Sequence, residues 1–271
     1  MPFISIVIPT YNSEAKIETC LRSILEQSYA DVEIIVHDGN SADGTLQKVR
    51  MFNDARIRIF SENDSGVYDA MNKALLKTRG EWILFLGSDD KLCDNNTLQT
   101  VMATLEFTSA DVVYGNVIMS GEGNWIKDRT IYMGETNTPL IFRQNLCHQC
   151  ILYRKRIFTN GRRYNLRYPI FADHDLNIFC FSIFKMQYIP VNIAYFYTGG
   201  LSSIHVDKNF EQDKWQLIVK YYKLRLCKKK YSELKKQFKE CSKIFWRKKM
   251  FTLALISFLA YLYQKILSKI S

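Results

Sequence analysis

The sequence predicts an α/β protein built on a doubly wound, mostly parallel sheet with helices on both faces. Three observations carry that expectation. Four apolar or β-branched runs of strand length (residues 3–9, 32–36, 56–60 and 82–86) alternate with helical stretches over the first 90 residues. Each run stops at a polar loop of turn-forming residues. The fourth run, Trp82-Ile83-Leu84-Phe85-Leu86, is apolar throughout, which marks a strand covered on both faces.

The elements follow in order. The first strand ends in Pro9-Thr10-Tyr11-Asn12, and Ser13 is the expected N-cap of a helix whose Ile17, Leu21, Ile24 and Leu25 recur at helical spacing. The second strand closes on the loop Asp38-Gly39-Asn40-Ser41-Ala42-Asp43-Gly44-Thr45. The third leads through Glu62-Asn63-Asp64-Ser65-Gly66 into a helix carrying Tyr68, Asp69, Met71 and Asn72. The fourth stops at Gly87-Ser88-Asp89-Asp90. In such a sheet the loops after strands one, two and four gather along one rim, where open α/β sheets place their ligands. Two adjacent carboxylates there call for a cation, a hydrogen-bond network or open water; the alternative is that Ser88 or Asp89 caps a following helix. No GxGxxG follows the first strand and no GxxxxGK[ST] occurs, which argues against a dinucleotide dehydrogenase and a P-loop enzyme.

Beyond residue 106, residues 111–115, 117–119, 151–153, 186–191 and 193–197 read as further short strands, and residues 120–138 as a long polar loop over the cleft. Residues 171–182 predict an amphipathic helix with Asp173 and Asp175 in its first turn, where the helix dipole favours acids whatever their function. Seven scattered cysteines form no paired framework, and Cys147-His148-Gln149-Cys150 lacks the second pair of a zinc site. With no signal peptide before the first strand, a reducing cytoplasmic setting is expected.

The net charge of +10 is concentrated at one end. Residues 207–271 carry 17 basic against 5 acidic side chains, and the rest of the chain is nearly neutral. The globular part shows no basic nucleic-acid patch. In the tail, Tyr231, Leu234, Phe238, Cys241 and Phe245 recur at three- and four-residue steps among lysines, a basic amphipathic helix suited to an anionic membrane or to packing against its own domain or a second copy. Residues 251–263 are apolar but shorter than the roughly 20 residues that span a bilayer, which suits a helix lying in the interface. The expected division is a catalytic domain at 1–206, with halves 1–106 and 107–206, and a helical membrane-associating tail at 207–271.

Four ordered blocks resemble the family-2 glycosyltransferases, in the branch that builds bacterial exopolysaccharide, colanic acid, capsule and O-antigen: Ile8-Pro9-Thr10-Tyr11-Asn12, residues 38–45, Asp64-Ser65-Gly66-Val67-Tyr68-Asp69-Ala70-Met71-Asn72-Lys73, and Phe85-Leu86-Gly87-Ser88-Asp89-Asp90. The resemblance spans residues 1–203. It implies a GT-A (Rossmann-like) fold, a nucleotide-sugar donor, most often UDP-linked, Mn²⁺ or Mg²⁺, and inverting transfer to a hydroxyl; the basic tail in turn points to a lipid-linked glycan acceptor on the inner face of the cell membrane.

By position the resemblance assigns Pro9, Thr10 and Asp38 to the donor's base, and Tyr11, Asp69, Asn72, Ser88, His148, Gly200 and Ser202 to the nucleotide sugar. Asp89 matches the second acid of the family's DXD metal motif, with Asp90 supporting it from behind and His205 as a further ligand. Gly87 stands where the first acid of DXD would be. Asp173 matches the family's general base, and Ala172 replaces its acidic neighbour. The departures at Gly87 and Ala172 keep open a second reading, a membrane-associated nucleotide-sugar-binding protein without turnover. A nucleotidyltransferase would need a Gly-rich, basic loop after the first strand, which this chain lacks.

Overall fold

A computed structural model describes residues 3–121, 128–198 and 206–270. Nine strands join in one sheet: β1 (Ile4–Thr10), β2 (Val32–Asp38), β3 (Ile57–Ser61), β4 (Trp82–Phe85), β5 (Lys91–Leu92), β6 (Val112–Ser120), β7 (Ile131–Tyr132), β8 (Ile151–Arg154) and β9 (Met186–Tyr197). The order is β3-β2-β1-β4-β8-β6-β9-β5, with β7 paired to β6. The first four strands are mutually parallel. Beyond β4 the sheet is mixed: β8 is antiparallel to both β4 and β6, β9 is parallel to β6, and β5 and β7 pair antiparallel to β9 and β6. The mostly parallel α/β expectation therefore holds.

The parallel half forms because β1, β2 and β4 are buried along their whole lengths, and α1 (Ile17–Leu25), α2 (Thr45–Met51) and α3 (Val67–Leu75) are the crossovers between them. Helix α1 turns Ile17, Cys20, Leu21 and Ile24 inward, close to the spacing read from the sequence. Its start differs from expectation. Ser13 makes no side-chain cap; its carbonyl accepts from the Lys16 and Ile17 amides, while its hydroxyl pairs with Ser88 Oγ at 2.8 Å. The chain after β4 enters strand β5, so neither Ser88 nor Asp89 caps a helix; α4 (Thr97–Leu105) follows β5.

Two pairs of expected short strands are single strands. Residues 112–120 form β6 continuously, and residues 186–197 form β9, with a register shift around Gly115 and Asn116 absorbing the irregularity that had read as a break. In the loop expected at 120–138, β7 pairs with β6; its middle, residues 122–127, lies outside the described residues. Short helices α5 (Thr138–Ile141) and α6 (Arg156–Thr159) precede α7 (Ala172–Ile183).

Helix α7 is not amphipathic in the folded chain. Asp173, His174, Asp175, Leu176, Asn177, Ile178 and Cys180 are all buried, because α8 (Lys208–Tyr222) covers the side that would otherwise meet solvent. Asp207, at the start of α8, accepts from the Ile170 and Phe171 amides at 3.0 and 3.2 Å as well as capping its own helix through Phe210 N. Asp175 is held by Arg162 at 2.9 Å and by the Tyr221 hydroxyl at 2.7 Å. The first helix beyond residue 206 is thus packed into the α/β body and fixes the segment leading into α7. The chain then passes through two 3-10 turns (Lys223–Leu226 and Lys229–Leu234) to α9 (Lys235–Arg247) and α10 (Phe251–Ile270).

Candidate active site

The loops after β1 and β2 are zipped together by the residues of the two sequence blocks. The Asn12 amide donates to Ser41 Oγ and the Ala42 amide to Asn12 Oδ1; the Ser13 amide donates to Thr45 Oγ1, and the Glu14 amide to Asp43 Oδ2. Asn12 and Asn40 adopt left-handed backbone at φ 46° and 64°, which asparagine tolerates better than most residues. Asp38 lies beneath this zipper, fully buried, accepting from the Ser41 amide and hydroxyl and from Ser61 Oγ.

Over these loops opens a cleft of about 400 Å³, lined by Pro9, Tyr11, Lys16, Ser88, Asp89, Asp90 and His148 among others. Asp89 is partly exposed to it and lies 3.3 Å from Lys16 Nζ. Asp90 is buried behind Asp89, accepting from Gln149 Nε2 at 2.8 Å and the Tyr197 amide at 3.1 Å. Burial, followed by the charge of Asp89, raises the Asp90 carboxyl to about 6.

Gly87 has a packing reason. A Cβ there would lie 2.5 Å from Asp90 Oδ2 and 3.0 Å from Asp89 Oδ1, so a side chain at 87 would displace the Asp90 carboxylate from its present position. The acid missing from the DXD pattern is therefore excluded by the way Asp90 is docked on Gln149.

A smaller recess of about 110 Å³ shares Tyr68, His148, Gln149, Ile170 and Phe196 with the cleft and ends at Asp173. Asp173 sits in the first turn of α7 and is buried. Its Oδ1 accepts from the Tyr68 hydroxyl at 2.9 Å and from the His174 amide at 2.8 Å. Its Oδ2 has His148 Nδ1 at 3.3 Å. Burial and the Asp173 charge push the Tyr68 phenol well above its ordinary range, so it stays protonated and donates. The same hydroxyl lies 2.7 Å from the Ile170 carbonyl, so its single proton is shared between that carbonyl and Oδ1, while Oδ2 faces His148.

Pro9, Tyr11, Ser88, Asp89, Asp90 and His148 thus come together, with Asp173 in the adjoining recess. Thr10, Asp38, Asp69 and Asn72 do not line either cavity. Thr10 is buried with its hydroxyl on Ile8 O; Asp69 accepts from the Ser65 amide and pairs with Lys73; Asn72 clasps the Tyr164 backbone through two 2.9 Å bonds. Their side chains shape the loops instead. Gly200, Ser202 and His205 lie outside the described residues.

Sequence reasoning did not assign Lys16, Tyr68 or Gln149. Tyr68 and Gln149 stand inside blocks already singled out; Lys16 carried no signal, being one charge on a helix entry. Cys147 and Cys150, which flank the His148-Gln149 pair, are free, and burial drives both thiols up, Cys150 to about 12.

The architecture is that of a GT-A enzyme: a parallel half, paired carboxylates at its strand ends, and a second half bringing another carboxylate to the recess beside the same cleft. TarS from S. aureus, in a crystal structure with UDP-GlcNAc, superposes with a TM-score of 0.64 at 18% identity over 98% of this chain and 92% of its own. Residues 5–184 match glycosyl transferase family 2, and the chain belongs to that family. It is 41% identical over 221 residues to a PGL/p-HBAD biosynthesis glycosyltransferase of Mycobacterium bovis, covering 77% of this chain and 82% of that one. It is 35% identical over 132 residues, 47% of this chain and 42% of the other, to the GalNAc(5)-diNAcBac-PP-undecaprenol beta-1,3-glucosyltransferase of Campylobacter jejuni. The protein is a glycosyltransferase.

Proposed function

We propose that this glycosyltransferase moves a hexosyl or N-acetylhexosaminyl group from a UDP-linked sugar to a hydroxyl of a polyprenyl-diphosphate-linked glycan, with inversion, in bacterial surface polysaccharide synthesis. The observation that carries the reading is Asp173, a carboxylate fixed on one oxygen by Tyr68 and His174 and opening through the other toward the donor cleft.

A sugar hydroxyl is a weak nucleophile at neutral pH, so a positioned base is needed. Asp173 Oδ2 takes the acceptor proton as the hydroxyl oxygen attacks the anomeric carbon opposite the leaving diphosphate. One in-line displacement inverts the anomeric centre and needs no second nucleophilic carboxylate. His148 Nδ1, beside Oδ2, orients that oxygen. Pro9, assigned to the donor's base, lines the cleft with Tyr11, and Lys16 supplies a cation toward the diphosphate.

The donor set fits Mn²⁺ or Mg²⁺ bound together with the donor. Asp89 presents a partly exposed carboxylate, and Gln149, which lines the same cleft, has a buried Oε1 with no hydrogen-bond partner. Among the described residues no group of three His, Cys, Asp or Glu could hold a metal unaided, so the donor's phosphate oxygens would complete the shell. When bound, such a cation offsets the charge that builds on the departing diphosphate.

The lipid-linked acceptor is supported by the undecaprenol-linked substrate in the Campylobacter relative's name and, for this chain, by the basic tail. On this reading the enzyme works at the cytoplasmic face of the membrane. A calorimetric and thermal-shift screen of UDP-sugars with and without Mn²⁺, followed by transfer to polyprenyl-diphosphate sugars, tests the reading. Failure of every UDP-sugar to raise the melting temperature, alongside a response to another nucleotide sugar, would sink the donor assignment.

A further inference from the structure

The stripe that the sequence marked for a membrane, Tyr231, Leu234, Phe238, Cys241 and Phe245, is buried inside the protein. Tyr231 stacks on Phe142 of the α/β body, and α9 packs along α10. The residues α10 buries fully are small or polar, Ala254, Ser257, Ala260 and Gln264 at steps of three and four, with Leu253, Ile256 and Tyr261 half-buried against the core beside them. Gln264 anchors the helix by donating from Nε2 to the Leu226 and Lys228 carbonyls at 3.2 and 2.8 Å. Facing away are Phe251 at 55% exposure, Leu255 at 58%, Phe258 at 45%, Leu259 and Ile266, with Trp246 of α9 at 65% beside Phe251.

A helix whose only contact were water would bury its large apolar side chains and expose its small polar ones. The reverse arrangement, small residues against protein and large apolar ones outward, is what a hydrocarbon environment favours. Between α9 and α10 runs a groove of about 590 Å³, lined by Lys239, Lys243, Trp246 and Arg247 of α9 and by Leu255, Phe258 and Tyr261 of α10. Lys248 and Lys249 continue the exposed basic bank in the turn between the helices.

We propose that the outward stripe of α10, with Trp246 and the basic bank of α9, is the surface that seats the protein on an anionic lipid bilayer, with α10 lying in the interface plane. The 18-residue apolar window Phe251–Ser268 is long enough to cross a membrane, but one side of α10 is packed lengthwise on α9 and tied by Gln264. Crossing would strip those contacts, whereas lying flat keeps them while the large side chains enter the acyl boundary and the lysines meet lipid phosphate. The inference does not depend on which sugar or acceptor the active site uses.

The test uses the full chain and vesicles of phosphatidylcholine with or without phosphatidylglycerol. Leu255→Gln/Phe258→Gln changes only exposed side chains and should lower vesicle partitioning roughly tenfold or more, with UDP-sugar binding unchanged. Lys239→Gln/Lys243→Gln/Arg247→Gln should remove the gain from phosphatidylglycerol, as should high salt. Phe107→Gln, a still more exposed apolar site on the α/β body, should partition like the parent. Alkaline carbonate should release the parent from vesicles. Retention after carbonate would overturn the in-plane placement. Unchanged partitioning of the Leu255/Phe258 variant would overturn the surface itself, and loss of a dimer in that variant, with vesicle binding intact, would assign the face to a second copy.

Discussion

Asp90→Asn should make the protein more stable while weakening its catalysis. The Asp90 carboxyl is fully buried, and burial together with the Asp89 charge moves it from 3.8 to about 6. That rise corresponds to a native-state cost of about 3 kcal/mol once the group is ionised. The sign follows from proton binding. Between the unfolded and folded values the native state holds more protons than the unfolded chain, so stability falls as pH rises through that window. Asparagine removes the charge and keeps the shape. Its Oδ1 can accept from the Tyr197 amide, and Gln149, whose Oε1 has no partner, can reverse its amide to accept from the new Nδ2. In metal-free urea unfolding, the variant should exceed the parent by about 2–3 kcal/mol near pH 8, and the gap should close toward about pH 4. Transfer in the presence of Mn²⁺ should fall. A variant less stable than the parent at the alkaline end, or a gap that ignores pH, would refute the argument that Asp90 is held at the site against its own electrostatic cost.

Asp173→Asn should retain UDP-sugar binding and lower the transfer rate by roughly 10²- to 10⁴-fold, the usual contribution of a positioned base; transfer at the parental rate would remove Asp173 from that role. Tyr68→Phe deletes one hydrogen bond to a carboxylate, about 1.5–3 kcal/mol, and should reduce kcat by roughly one to two powers of ten with donor affinity unchanged in titration calorimetry. Gly87→Ala should displace Asp90 from Gln149, so Mn²⁺-dependent donor binding in calorimetry should weaken even though no acid has been removed. His174, buried with Nε2 at 2.6 Å from the Ile141 carbonyl, is depressed to about 4 by burial. Here the unfolded chain binds the extra proton, so the parent should lose about 3 kcal/mol as pH falls from about 6.5 to about 4. His174→Gln should show a flatter acid limb in the same unfolding series.

The parallel half was legible because its signals are local. Apolar runs such as residues 82–86 can satisfy their burial only inside a covered sheet, and the loops that end them carry the residues that zip the rim. The blocks holding Asp89, His148 and Asp173 were assigned through the family resemblance, and nothing local said that Tyr68, about a hundred residues away, would lie against Asp173. The antiparallel half was misdivided because a register shift at Gly115 looks like a strand end when the partner strand is unseen.

What the sequence determined by itself was the fold class, the family and the carboxylates at the strand ends, since each follows from residue type and spacing along one stretch of chain. Tertiary structure decided which faces are inside. Helix α7 lost its amphipathic character because α8 closed over it, and the apolar stripe of the tail became core because Phe142 and α10 were there to meet it. It also explained Gly87: a side chain there would collide with the carboxylate that Gln149 holds in place. Periodicity shows that a helix has an apolar face; only the neighbouring elements determine whether protein or something else covers it.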